Sequence, residues 1–193
     1  MKHHWATLFA GLLSALSMPA EAHVGHGIAP DFQAGLWHPL LGIDHLLAMI
    51  GVGMWAGFLG GAARGWLPAA FLAAMTAGAS LHFAGITVEG PEITIAASVL
   101  AIGLILLSGR RSPLGWALGL AALFACGHGY VHALEAGADD QALYYAAGFI
   151  VSTTLLLGSG LLIGLFSVVQ GRWIRTVFGV VCAGAGLTLL LGT

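Results

Sequence analysis

The sequence predicts an all-α fold, a polytopic membrane bundle of six transmembrane helices that follows a cleavable signal peptide. Three observations lead there. Hydrophobic residues make up 59% of the 193 positions and charged residues only 7%, against about 25% charged in soluble domains. Mean hydropathy is +0.94, and six Lys plus Arg with eight Asp plus Glu cannot clothe a water-soluble core of this size. The apolar residues also fall into blocks of bilayer length, and the charges between the blocks alternate in sign. A net charge of −2 without a basic patch sets nucleic-acid binding aside.

In chain order, residues 1–22 read as the signal peptide. Lys2 opens a short positive region, Trp5 to Leu16 is apolar, and Ala20-Glu21-Ala22 fits a small-x-small cleavage site. An uncleaved first span is the alternative, but the run is short for one. Residues 23–36 form a periplasmic leader containing His23 and His26, which either collect metal loosely or simply belong to a polar tether. Residues 37–193 form the membrane domain, with spans expected at 37–59, 67–87, 93–108, 114–134, 142–169 and 173–192. The fifth exceeds the ~20 residues that a bilayer requires, which implies tilt or a start above the membrane.

The loop charges orient these spans. Arg64, Arg110, Arg111, Arg172 and Arg175 fall in alternate loops, and Glu89, Glu92, Glu135, Asp139 and Asp140 in the others. Arginine loops face the cytoplasm by the positive-inside rule, which places the mature N-terminus outside. The signal peptide leads to the same orientation from different residues. Gly53-x-x-x-Gly57, Gly115-x-x-x-Gly119 and Gly160-x-x-x-Gly164 offer small surfaces for close helix approach. Cys126 and Cys182, both in apolar runs, are read as buried small side chains and not as a disulfide or ligands.

Ionisable groups inside a span each cost about 2.5–3.5 kcal/mol on insertion scales, so they mark places that bind or conduct something. The first span carries His38, Asp44 and His45. On this unbroken helix the two histidines share a face and His45 sits about 10 Å deeper. His128 and His132, one turn apart in the fourth span, also share a face, which Glu135 extends. The topology brings His82 to the same outer half, with Glu92 at the outer surface. For His82 alone an interhelical hydrogen bond is favoured over ligation; for the remaining set a metal or proton pathway is favoured over a structural network. Imidazole with carboxylate suits nickel, cobalt or zinc better than calcium or magnesium. No His-Glu-x-x-His motif supports an intramembrane enzyme.

The first-span pattern His38-Pro39-x-x-Gly42-x-Asp44-His45-x-x-x-Met49 resembles the signature of the HupE/UreJ family. Gly90-Pro91-Glu92-x-x-Ile95-x-x-Ser98-Val99-Leu100-x-x-Gly103 and His128-Gly129-x-x-His132-x-x-Glu135 are similar to that family's third and fourth helices. Two places depart from the pattern. Tyr130 stands where a further histidine is expected, and a leucine within 154–157 replaces a histidine of many relatives. The resemblance implies a non-enzymatic, bacterial inner-membrane protein tied to hydrogenase or urease maturation. It implies a secondary permease that moves Ni(2+), with cobalt as the neighbouring candidate, from periplasm to cytoplasm, without a permanent cofactor. His38, Asp44, His45, His128, His132 and Glu135 would hold the ion, with His23, His26, His82 and Glu92 as accessory groups. The alternative is a membrane accessory protein that delivers nickel to a maturation partner without net transport.

Overall fold

The first predicted span is two helices rather than one. In the structure, a computed structural model describing residues 31–136 and 142–192, α1 runs Phe32–Leu41 and α2 runs Ile43–Leu59. They meet at a bend of 80°. Pro39 lies inside the last turn of α1 and withholds an N–H from its ladder. Gly42 then adopts an extended backbone, φ −80° and ψ 112°. Its N–H closes α1 on the His38 carbonyl at 3.2 Å, and its carbonyl opens α2 by accepting from Leu46 N–H at 2.9 Å. Asp31 caps α1 by accepting the Ala34 N–H at 2.8 Å. The expectation of an unbroken helix over 37–59, with His38 and His45 on one straight face, is therefore corrected.

The remaining helices are α3 (Ala63–Phe83), α4 (Pro91–Ser108), α5 (Leu114–Ala136), α6 (Ala142–Gln170) and α7 (Trp173–Gly192). No strand occurs among the described residues. In α4 the proline occupies the first turn, where its missing N–H disrupts no internal bond, and left-handed Gly90 precedes it at φ 58°. The predicted signal peptide, His23, His26, Asp139 and Asp140 lie outside the described residues.

Four helices, α3, α5, α6 and α7, are each long and apolar enough to cross a membrane, and the bent α1–α2 pair counts as a fifth candidate. Only a shorter apolar helix lies over Glu92–Ser108. Large apolar side chains cover the outside, with Leu143 82%, Leu191 79% and Val169 79% exposed, while Trp55, Phe71 and Met49 are fully buried. Such an exterior suits lipid rather than water, and the chain is a multi-pass membrane protein.

Glycines set the closest helix contacts. Gly53 and Gly57 of α2 face the carbonyls of Leu157 and Leu161 in α6, and Gly160 and Gly164 face Ile50 and Met54 in return. Two of the predicted small-residue motifs thus meet each other within the chain. A β-carbon at any of these four positions would press into opposing backbone. Because the pairing advances together on both helices, α2 and α6 are parallel. Likewise α3 and α5 are parallel, Gly78 facing Cys126 and His82 meeting Tyr130. In α4 and α7 the order reverses, Gly103 facing Ala183 and Gly186 facing Leu100. That pair is antiparallel. Gly115 and Gly119 face open space. Both cysteines are free thiols, with Cys182 fully buried and Cys126 half-buried.

Candidate metal site

The bend at Gly42 folds His38 back over the start of α2. The ring centroids of His38 and His45 are 5.5 Å apart, in place of the roughly 10 Å offset of a straight helix. From α5, His132 completes the group, 4.9 Å from the His38 ring and 4.4 Å from the His45 ring. One ligand atom from each of His38, His45 and His132 lies within 4.8 Å of the other two. Nitrogens sharing one ion sit about 3.4 Å apart when metal–nitrogen bonds are about 2.0–2.1 Å, so small ring rotations suffice to close the site. His128, one turn further along α5, joins the edge of the cluster at 5.5 Å from His45. The site is largely sealed: His45 and His132 are each 5% exposed and His128 is fully buried.

Each imidazole has an oxygen partner on one nitrogen. The Asp44 Oδ1 atom accepts from His45 Nδ1 at 2.5 Å and also from the His45 backbone N–H at 2.8 Å. Gly42 leaves room for this pair, since a β-carbon there would lie 2.7 Å from His45 Nδ1 and 3.0 Å from Asp44 Oδ1. Asp44 also stands in the first turn of α2, where a negative charge meets the positive end of the helix dipole. Glu135 Oε2 accepts from His38 Nε2 at 3.3 Å and from His132 Nδ1 at 3.3 Å. A carboxylate can only accept, so the nitrogen facing it carries the proton and the opposite nitrogen offers its lone pair. His45 Nε2 and His132 Nε2 are buried without a hydrogen-bond partner. An unpaired buried ring nitrogen is costly unless something occupies it. Three rings of this kind, each braced by a carboxylate, have the makings of a nitrogen site for a divalent ion with the acids as outer supports.

His38 is the partly exposed member, with 21% of its side chain open, and Glu135 beside it is 39% open. The Phe149 ring of α6 walls the cluster at 4.1 Å from His132 and 6.0 Å from His38. A cavity of about 100 Å³ between α3, α5 and α6 reaches His132 past Met75, Phe83 and Tyr145. Of the accessory candidates, His82 stands apart against Tyr130, ring centroids 5.5 Å apart. The Tyr130 hydroxyl accepts the Val88 N–H at 3.1 Å, so the tyrosine that departs from the family pattern ties the α3–α4 loop to α5. Glu92 is exposed at the first turn of α4. Of the leucines within 154–157, Leu156 and Leu157 are buried in the core and Leu155 is exposed.

The sequence reading passed over Phe149, Ser152 and Thr153, and named Ser98 only within the third-helix pattern. Ser98 touches His128 at 2.9 Å. In α6, Thr154, Ser159 and Ser167 bond their own helix carbonyls. The Ser152 and Thr153 hydroxyls, 1% and 0% exposed, have no such partner. Hydroxyl-bearing residues within apolar spans were the signal for the serines and Thr153; Phe149 carried none.

Comparison with known proteins agrees with the motif resemblance. The family profile described as HupE / UreJ protein matches residues 11–189. The curated Protein HupE of Rhizobium leguminosarum bv. viciae is 39% identical over 186 residues, covering 93% of this chain and 95% of that protein. No solved structure matches the chain.

Proposed function

The chain belongs to the HupE/UreJ family, and on that premise we propose that it is a secondary permease carrying divalent nickel from periplasm to cytoplasm for hydrogenase or urease maturation. The family is one of accessory and transport proteins and not of enzymes. The observation that carries the reading is the largely buried imidazole triad, whose ligand atoms lie within 4.8 Å of one another.

In this mechanism Glu92 and Glu135 concentrate cations at the outer face. His38, the most open ring of the triad, receives the partly dehydrated ion together with His132. His45 and then His128 take it deeper, while Asp44 and Glu135 hold the rings. On parallel α2 and α6, Gly53 pairs with Leu157 and Gly57 with Leu161. Taken with Gly160 facing Ile50 and Gly164 facing Met54, that register sets Thr153 near the level of Leu46, the residue after His45. Ser152 and Thr153 thus offer buried, unpartnered hydroxyls at about the depth of His45.

Six crossings with the mature N-terminus outside fit the helix directions. Under that topology the first and fifth spans run the same way, as do the second and fourth, while the third and sixth oppose each other. The observed pairs α2–α6, α3–α5 and α4–α7 have those relations. The short α4 then counts as the third crossing and the α1–α2 pair as the first. The cleaved signal peptide at 1–22, the leader at 23–36 and the inner membrane of a bacterium belong to the same proposal.

The test is radiolabelled nickel uptake into nickel-starved cells carrying wild type or the Asp44→Ala/His45→Ala double variant at equal membrane abundance, with cobalt and zinc as competitors. Loss of uptake in the variant supports the permease, and the competition pattern identifies the ion. A second reading, an accessory protein that hands nickel to a partner, is favoured by one observation. Among the described residues the only metal-ligand cluster is the His38–His45–His132 group, with no counterpart toward the other end of the bundle. Purified protein that binds nickel but does not move it into vesicles would select that reading.

A further inference from the structure

His128 differs from the other imidazoles in that its partner is a hydroxyl instead of a carboxylate. Its Nε2 atom lies 2.9 Å from Ser98 Oγ, and its Nδ1 atom is buried without a hydrogen-bond partner. A hydroxyl can donate or accept, so this contact alone leaves the tautomer open. The rest of the Ser98 environment decides it. Ser98 Oγ lies 2.7 Å from the Ile95 carbonyl one turn back in α4 and donates to it. A serine has one hydroxyl proton. With that proton directed at Ile95, Ser98 can only accept from His128, and the ring proton must sit on Nε2.

We propose that Ser98 is a positioning residue that locks His128 in the Nε2–H tautomer, leaving the Nδ1 lone pair as a ready ligand on the inner side of the imidazole cluster. The ligand role rests on the metal reading of the cluster; the tautomer assignment does not. Three features support the lock. Ser98 is 1% exposed and His128 fully buried, so water does not compete for either group. Close approach of α4 to α5 is built in at the preceding residue, where a β-carbon on Gly127 would press into the Thr94 side chain. Phe71 covers the His128 ring at 6.2 Å between centroids, limiting its rotation. The chemistry also suits the position. A serine fixes the ring without adding a negative charge, so the ion is braced by carboxylates at the outer rings and meets a neutral support at the inner one. That grades its hold in the direction of travel.

The test is nitrogen NMR of histidine-labelled full-length protein in detergent, first without metal. The assignment expects His128 as a single tautomer, with a pyridine-type Nδ1 signal and a pyrrole-type Nε2 signal. Ser98→Ala should give mixed tautomers at His128 and weaken nickel binding by about 10- to 100-fold, the usual effect of removing a ligand's outer support. Ser98→Thr, which keeps the hydroxyl, should restore both. A wild-type His128 protonated on Nδ1 overturns the proposal, as does a folded Ser98→Ala protein with unchanged His128 signals. If wild type shows the Nε2–H tautomer yet binds no nickel, the lock stands and the metal reading of the cluster fails.

Discussion

Asp44 offers the sharpest test of how the site is organised, because its carboxylate touches His45 twice, on the ring at 2.5 Å and on the backbone N–H at 2.8 Å. If the acid acts by bracing the imidazole, Asp44→Asn should be a mild change. The amide oxygen can still accept from Nδ1, and what is lost is the charge. Hydrogen bonds to charged groups contribute about 1.5–3 kcal/mol and neutral ones about 0.5–1.5. The difference of about 1 kcal/mol is roughly fivefold in nickel affinity. Asp44→Ala removes the brace altogether and should weaken binding by about 10- to 100-fold. It also removes a negative charge from the first turn of α2, worth about 0.3–1 kcal/mol of helix stability. Equilibrium dialysis of the purified protein against radiolabelled nickel measures both affinities, and thermal unfolding in detergent measures the second effect. If Asp44→Asn abolishes binding as completely as Asp44→Ala, the carboxylate is itself a ligand and the bracing argument is refuted.

Helix packing makes an equally direct contrast between glycines. Gly160→Ala sets a β-carbon against the Ile50 backbone and should cost about 1–3 kcal/mol, whereas Gly119→Ala, with nothing within 4 Å, should leave thermal unfolding in detergent unchanged. Since free histidine titrates near pH 6.5 and protonation consumes the lone pair that binds the ion, uptake should be full above neutral pH and fall as external pH drops from about 7 to 5. A flat pH profile in vesicles would contradict imidazole ligation. Thr153→Val keeps shape and removes the unpartnered hydroxyl, so uptake should fall several-fold while equilibrium nickel binding stays within about twofold. Equal loss of both would move Thr153 into the primary site.

Much of the fold was legible because lipid leaves the backbone few options: each buried segment must satisfy its own hydrogen bonds, so apolar blocks become helices. The expected spans at 114–134, 142–169 and 173–192 coincide closely with α5, α6 and α7, while the one at 67–87 lies a full turn too far along the chain from α3. The same reasoning missed the break at Gly42, since hydropathy runs through 37–59 without interruption and Pro39 and Gly42 were read only as members of the family pattern. It also treated Gly53-x-x-x-Gly57 and Gly160-x-x-x-Gly164 as separate motifs, although each is the other's partner. A motif states that close approach is allowed; it does not state to what.

For the site, residue type and helical spacing were enough to single out His38, Asp44, His45, His128, His132 and Glu135, because ionisable groups in lipid are conspicuous whatever the fold. The tertiary structure distributed the roles among them. It turned two residues expected as ligands, Asp44 and Glu135, toward ring nitrogens. It set His82 apart against Tyr130 and brought Ser98 from α4 to His128. The physical reason is one of range. Insertion into lipid and helix formation are decided within about twenty neighbouring residues, so both could be read along the chain. Convergence of rings from α1, α2 and α5 depends on an 80° bend and on which glycine faces meet, and those are settled only when the helices pack.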